Sequence, residues 1–114
     1  MLDKELAKKQ IKKHCGNGWL FLVDIIYDNV PYQIKINEIF QKWAGLEIRF
    51  EGTDAEFNEL VENVNFISKK ICEKCGESGA YSIIDGWETT LCDLHYKKSN
   101  GNKKYRRENE LKKN

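Results

Sequence analysis

Cys72-Glu-Lys-Cys75-Gly76 and Trp87-Glu-Thr-Thr-Leu-Cys92-Asp-Leu-His95 are the two stretches that decide how the last third of this chain folds. Each stretch carries two metal-ligating side chains in a Cys-x-x-(Cys or His) pair, and the linker between the pairs has the length of a short hairpin. Three sulfurs and one imidazole are the donor set that tetrahedral zinc prefers in proteins. The sequence therefore predicts one Zn²⁺ with four protein ligands: Cys72, Cys75, Cys92 and His95.

A zinc ion with four protein ligands has a structural role. No coordination position is left for a water molecule, so the ion cannot act as the Lewis acid of a hydrolase. It contributes folding free energy instead, about 10 kcal/mol or more in a small module. The alternative interpretations are a disulfide framework or four unrelated buried residues. A secreted, disulfide-bonded protein is disfavoured because we find no signal-peptide pattern.

The residues between and after the ligand pairs predict the elements that present them. Tyr81-Ser-Ile-Ile-Asp-Gly-Trp87 predicts two short strands about an Asp85-Gly86 turn. Cys92 begins a short helix, on which His95 lies three positions later and on the same face. A knuckle, a hairpin and a helix in this order resemble a treble-clef zinc finger.

The rest of the sequence predicts an α+β protein of one small domain, in which helices pack on a short antiparallel hairpin or meander. Residues 1–71 form the predicted helix-helix-hairpin-helix body, residues 72–96 a zinc module continuous with it, and residues 97–114 a basic, flexible tail. A helix near residues 106–113 is expected only when the tail binds something. The alternation of apolar residues slips after Ile36, which predicts a β-bulge. Thr53-Asp-Ala-Glu56 matches the capping box at the start of the third helix.

The predicted helix that starts at Trp19 is apolar on nearly every side. Such a helix needs cover on more than one face, either from the sheet and the third helix together or from another copy of the chain. This pattern is the best indication of a homo-oligomer in the sequence.

Charge is distributed unevenly, although the net charge is only +1. Residues 1–14 carry +3, residues 15–96 carry −8 and residues 97–114 carry +6. The basic tail could bind nucleic acid through phosphates, although lysine-rich termini are more often solvated. No apolar run approaches the roughly 20 residues of a membrane span, so no membrane partner is expected. Reduced thiols predict a cytoplasmic location.

Positive and aromatic side chains on the predicted hairpin are the candidates for an anion site. Cations would contact phosphate and an indole would provide a stacking surface. Ordinary strand charges paired with neighbouring glutamates explain the same residues equally well. The candidate ligand-binding residues are Lys35, Lys42, Trp43, Arg49 and Trp19.

Cys15 is the one cysteine outside the metal set, and His14 precedes it. A cysteine beside a histidine suggests a nucleophile and its base. Consecutive residues of a helix do not face each other, however, and no third group is placed to orient the histidine. We therefore expect Cys15 to be a packed residue, and we predict no catalytic residues and no enzymatic activity.

Three motifs together resemble those of small uncharacterised bacteriophage and prophage proteins that bind zinc. They are Cys15-Gly-Asn-Gly-Trp19, Lys42-Trp-Ala-Gly-Leu46 and the Cys72 to His95 segment, so the resemblance covers residues 15–96. The second motif departs from the family pattern, because Glu47 follows Leu46 where the family has arginine. Arg49 lies two positions further on the same strand face. The resemblance implies a phage origin, and hence the host cytosol, but no established activity.

Two functions fit these observations. The first is a non-enzymatic, anti-defence protein whose oligomer sequesters an anionic small molecule, a nucleotide-derived immune signal of the host. The second is a zinc-finger protein that binds nucleic acid, or regulates, through its basic tail. An inhibitor that binds another protein through exposed aromatic residues is a third class. The absence of a catalytic set favours the first.

Overall fold

The computed structural model describes residues 1–99 and 104–106. In this part of the chain, helices and two antiparallel sheets form an α+β fold, as predicted. The helices are α1 (Lys4–His14), α2 (Leu20–Asp28), α3 (Ala55–Ser68) and α4 (Asp93–Lys98). The strands are β1 (Lys35–Lys42), β2 (Gly45–Glu51), β3 (Ala80–Ile84), β4 (Trp87–Leu91) and β5 (Lys104–Arg106). One sheet pairs β1 with β2, and the other has the order β4-β3-β5.

Short polar side chains begin α1 and α3. The Asp3 carboxylate accepts the Leu6 backbone N–H at 2.8 Å, and the Asp54 carboxylate accepts that of Phe57 at 2.8 Å. The predicted capping box is therefore wrong by one residue, since the N-cap of α3 is Asp54 and not Thr53. An aspartate satisfies a free N–H of the first turn as well as a threonine does and also favours the positive end of the helix dipole.

The β1–β2 hairpin contains the predicted bulge, since its register shifts between Ile36 and Glu38. The first strand begins at Lys35 and not at Tyr32, because the Ile34 N–H donates to the Pro31 carbonyl at 3.0 Å and closes a turn there. The hairpin turns at Trp43 and Ala44, whose φ angles are +50° and +67°. Two consecutive left-handed residues match the right-handed twist of a hairpin, although this conformation is costly for side chains other than glycine.

The main core lies between α1, α2, α3 and the first hairpin. Trp19 is at its centre, with none of its surface exposed. Helix α2 buries Leu22, Val23 and Ile26 and packs between α1 and α3, but leaves Phe21 47% and Ile25 36% exposed. The remaining buried residues of this cluster are Ala7, Ile11, Cys15, Ile34, Ile36, Ile39, Leu46, Ile48, Phe57 and Val64.

The second hairpin confirms the prediction made from Asp85-Gly86. Strands β3 and β4 pair in antiparallel register, and both turn residues have positive φ, +52° and +82°. No described helix has the length and apolar character needed to cross a membrane.

Part of the predicted tail belongs to the fold. Lys97 and Lys98 are in α4, and β5 adds a third strand to β3. Arg106 explains this correction: its guanidinium donates to the Asp93 carboxylate at 2.7 Å and to the Leu91 carbonyl at 2.6 Å, and it stacks on Tyr96. Residues 100–103 and 107–114, with most of the segment expected to become helical on binding, lie outside the described residues.

Candidate metal centre and ligand groove

The four predicted metal ligands meet at one point. The ligand atoms of Cys72, Cys75, Cys92 and His95 all lie within 4.8 Å of one another. Sγ of Cys75 is 3.7 Å from Sγ of Cys92, and Nδ1 of His95 is 3.2 Å from Sγ of Cys92 and 3.7 Å from Sγ of Cys72. These residues could therefore hold a metal ion through three sulfurs and Nδ1.

Backbone hydrogen bonds shape the knuckle that carries the first two ligands. Gly76 N–H donates to the Cys72 carbonyl at 2.9 Å, and Cys72 N–H donates to the Glu77 carbonyl at 2.7 Å. Gly76 has a φ of +89°, a conformation that favours glycine and lets the chain reverse just after Cys75. The other two ligands come from the start of α4, where Cys92 is the N-cap and its sulfur accepts the His95 N–H at 3.4 Å.

The surroundings affect the thiols differently. Burial disfavours the Cys92 thiolate, but the backbone N–H and the ring of His95 favour it and lower the pKa of Cys92 to about 7. A backbone hydrogen bond at Glu77 favours the Cys75 thiolate, but burial and the neighbouring sulfurs raise the pKa of Cys75 to about 11. A cation at the centre of the set would favour all three thiolates together.

The Cys15-Gly-Asn-Gly-Trp19 motif is the segment that attaches the body to the knuckle. The Gly18 N–H donates to the Glu73 carbonyl at 2.9 Å, and the Asn17 N–H donates to the Lys74 carbonyl at 3.3 Å. A Cβ atom on Gly18 would lie 1.9 Å from the Cys72 carbonyl oxygen, far inside contact distance. The glycine at position 18 is therefore explained by the close approach of two backbones.

Trp19 completes this attachment and is not available to a ligand. Its indole N–H donates to the Ile71 carbonyl at 2.9 Å, and the side chain is fully buried. The prediction that Trp19 provides a stacking surface is therefore wrong. A tryptophan this large contributes more to stability by filling the core than it would on the surface.

The three cations of the first hairpin do not converge. In the strand register, Lys35 lies opposite Glu51 at one end of β1, and Lys42 lies opposite Gly45 at the other end. The seven residues from Lys35 to Lys42 separate their backbones by about 23 Å at the rise of a strand. Arg49 is bound to Glu38 at 3.3 Å and stacks on Phe40. The strand register separates residues that the sequence suggested as one anion site. Only Lys42 stays beside its predicted partner, 4.4 Å above the Trp43 ring.

A different surface collects aromatic and positive side chains. Trp87, 65% exposed, lines three cavities of about 630, 360 and 270 Å³, which we call together the Trp87 groove. The two larger cavities also share His14 and Glu73, and the smallest contains Lys42 and Trp43. The ionisable residues that line the groove, the candidate metal ligand His95 apart, are Lys13, His14, Lys42, Lys74, Lys98, Glu38, Glu73 and Glu88.

Sequence reasoning missed most of this groove. The sequence predicts Trp87 only as part of the metal motif and the second hairpin, considers His14 only as a base for Cys15, and gives no reason to single out Lys13. Their proximity depends on how α1, β1 and β4 pack, which no local spacing reveals. The one available signal was Trp87 itself, a large aromatic residue beside a two-residue turn, where little can cover it.

Cys15 does not form a catalytic pair with His14. It is 1% exposed, and burial, helped by the negative charge of Glu73, raises the pKa of its thiol to about 12. A thiol that stays protonated at neutral pH is a poor nucleophile. Both residues line the cavity of about 630 Å³, but Cys15 contributes packing there.

Comparisons with protein-family models, with curated proteins and with solved structures found no match to this chain.

Proposed function

We propose that this protein is a non-enzymatic binding protein that captures an anionic, nucleotide-derived small molecule in the Trp87 groove. A structural zinc ion at Cys72, Cys75, Cys92 and His95 stabilises the β3–β4 hairpin, which carries Trp87. The observation that carries the proposal is that one exposed indole, Trp87, is shared by three cavities with lysines at their edges.

The geometry of the ligand set supports zinc. Tetrahedral Zn²⁺ with Zn–S of about 2.3 Å and Zn–N of about 2.0 Å requires S–S distances of about 3.8 Å and S–N distances of about 3.5 Å. The Cys75–Cys92 sulfur distance of 3.7 Å and the two S–N distances of 3.2 and 3.7 Å lie near these values, and all four ligand atoms lie within 4.8 Å of one another. Three thiolates disfavour Mg²⁺ and Ca²⁺, which bind oxygen ligands.

The charge around the groove supports an anionic ligand. The lining contains four lysines and three glutamates, whereas residues 15–96 as a whole carry a net charge of −8. Lysine ammonium groups bind phosphate as point charges, and a tryptophan face stacks on a base. A cavity of about 630 Å³ is within the usual size range for small-molecule sites.

Sequestration is a function that requires a binding site but no reactive side chain. Cys15 is buried and protonated, and the metal ligand set is complete without water, so neither offers a reactive group. The resemblance to phage proteins supports a host immune signal as the molecule that is captured. The homo-oligomer predicted from α2 stays a prediction, which the exposed Phe21 and Ile25 favour and native mass spectrometry would test.

Isothermal titration of the zinc-loaded protein with cyclic dinucleotides and ADP-ribose derivatives tests the proposal. We expect at least one member to bind, and Trp87→Ala to weaken it by about 10-fold or more, since stacking on a base contributes about 1–3 kcal/mol. Tyr32→Ala is the matched control, because Tyr32 is fully exposed and lines none of the three cavities.

Two results would contradict the proposal. One is the absence of heat and of a thermal shift with every ligand of the panel. The other is equal loss of affinity in the Trp87 and Tyr32 variants. Strong binding of a single-stranded oligonucleotide, with affinity that falls steeply with salt, would instead favour the nucleic-acid function.

A further inference from the structure

Glu73 is a buried acid that neither the metal centre nor the lysines of the groove explain. Its side chain is 2% exposed, and the residue lines both of the larger cavities. A buried carboxylate is costly unless other groups compensate its charge. Among the residues that the structure describes, no Lys, Arg or His nitrogen lies within ion-pair distance of it.

Neutral groups, and no cation among the described residues, surround this carboxylate. Gln41 Nε2 donates to Oε1 at 3.2 Å, and the Thr89 hydroxyl donates to the same oxygen. Gln41 is itself fixed, because its amide also donates to the Glu88 carbonyl at 2.7 Å. The Gln41 and Thr89 hydrogen bonds both end on Oε1, and the buried Cys15 thiol is a third neutral group within reach of the carboxylate. The carboxylate is rigidly placed as an acceptor at the meeting point of two cavities.

From this arrangement we propose that the Trp87 groove selects a guanine base, with Glu73 accepting hydrogen bonds from its N–H donors. Guanine carries N1–H and N2–H₂ side by side on one edge, a donor pair that a carboxylate can accept. Adenine presents an acceptor at N1 and cannot bind the carboxylate in this way. The inference rests on the proposed function and adds the base to it.

The other groups of the groove suit the rest of a guanine nucleotide. Trp87 lines the same two cavities as Glu73, so a base near the carboxylate can stack on the indole. Lys13 lies along one cavity and Lys74 and Lys98 along the other, where they can neutralise phosphates. Base recognition and charge neutralisation are therefore assigned to different residues of one groove.

Matched pairs of nucleotides test this selectivity on the full-length, zinc-loaded protein. The probes are GMP and AMP, cyclic di-GMP and cyclic di-AMP, with IMP to isolate the 2-amino group, all measured by calorimetry at one salt concentration. We expect the guanine member to bind about 10- to 100-fold more tightly, and IMP to fall between GMP and AMP, because each hydrogen bond to a charged acceptor contributes separately.

Glu73→Gln is the accompanying variant, since it keeps the shape but replaces one acceptor oxygen by an N–H donor. It should remove most of the guanine preference while leaving zinc content and the circular dichroism spectrum unchanged. If the variant does not fold, the comparison of GMP, IMP and AMP on the native protein still decides. Equal binding of guanine and adenine members, or binding of adenine-containing ADP-ribose derivatives alone, overturns the guanine inference and leaves capture standing. The absence of binding by every nucleotide and ADP-ribose derivative overturns both the guanine inference and the proposed capture function.

Discussion

The N-terminal body and the C-terminal zinc module are stabilised in different ways. The body contains a continuous core of buried apolar residues around Trp19, drawn from α1, α2, α3 and the first hairpin. Among the described residues, the corresponding cluster of the module has three buried members, Cys72, Leu91 and Cys92, and two of these belong to the candidate ligand set. Burial of apolar surface can hold the body together, whereas in the module the metal that we propose would take the place of a core.

Loss of the metal should have the largest effect, because it should unfold the C-terminal module and leave the N-terminal body folded. Cys92→Ala removes one ligand and the N-cap of α4, so we expect zinc to be lost and residues 72–96 to unfold. The loss should be several kcal/mol, given that structural zinc contributes about 10 kcal/mol or more in small modules. Zinc content by mass spectrometry and a thermal melt followed by circular dichroism measure the effect.

Cys15→Ala is the control for that experiment, because it also removes a buried thiol but leaves the four ligands in place. It should retain one zinc per chain and lose far less stability. A Cys92→Ala protein with the melting temperature of the native chain, or a native protein unaffected by a strong chelator, would contradict the difference between the two regions.

The local parts of this picture could be predicted from the sequence, and the long-range parts could not. The Cys72–Cys75 and Cys92–His95 spacings specify ligands within one turn or one knuckle, and the Asp85-Gly86 turn is read from two residues. Trp19, in contrast, finds its hydrogen-bond partner at Ile71, 52 positions away. Nothing near Trp19 in sequence distinguishes a buried anchor from an exposed stacking surface.

The same reasoning explains the corrections to the candidate ligand site. Alternation indicated correctly that Lys35 and Lys42 belong to one strand, but distance along that strand keeps them apart. Trp87 and Lys13 line one cavity because α1 packs on β1, and β1 is in turn tied to β4 through the Gln41 hydrogen bond to the Glu88 carbonyl. The groove thus follows from tertiary packing, and its residues could be found only after the fold was known.

A substitution at Gly18 should disrupt the contact between the body and the C-terminal module. Gly18→Ala places a methyl group against the Cys72 carbonyl, so the Cys15–Trp19 loop must move away from the knuckle. We expect a loss of about 1–3 kcal/mol and weaker zinc binding, because overpacking a backbone contact displaces the knuckle itself. A chelator competition assay and a denaturant titration report the two effects separately.

Gly86→Asn serves as the control for Gly18→Ala. A Cβ at Gly86 has nothing within 4 Å, and asparagine tolerates the left-handed conformation required by its φ of +82°. Its effect should be small on both measurements. Equal zinc affinity in the Gly18→Ala and native proteins would show that the knuckle folds independently of the body.

Alkaline pH should weaken the body through Cys15. Burial raises the folded-state pKa of the Cys15 thiol to about 12, from about 9 for an exposed thiol. The contribution of the protonated Cys15 thiol to the free energy of unfolding is therefore complete below pH 9 and decreases as the pH rises towards 12. Between these two pH values, only the unfolded state releases the thiol proton. At pH 10 the expected loss is about 1 kcal/mol. The difference in denaturant stability between the native and Cys15→Ala proteins, measured at pH 8 and pH 10, isolates this effect from other groups. A difference that does not change with pH would contradict the buried, protonated thiol.

The smallest expected effect is the loss of stability on removal of the N-cap of α3. It should differ between the neighbouring residues Thr53 and Asp54, and it should affect the N-terminal body alone. Asp54→Ala removes the carboxylate that accepts the Phe57 N–H, and the loss should be about 1 kcal/mol. Thr53→Ala should cost much less, because the cap is not Thr53. Neither variant should change zinc affinity, since α3 begins far in sequence from the knuckle. If Thr53→Ala proved the more destabilising of the two in a urea titration, the capping box predicted from the sequence would be the better description of this helix.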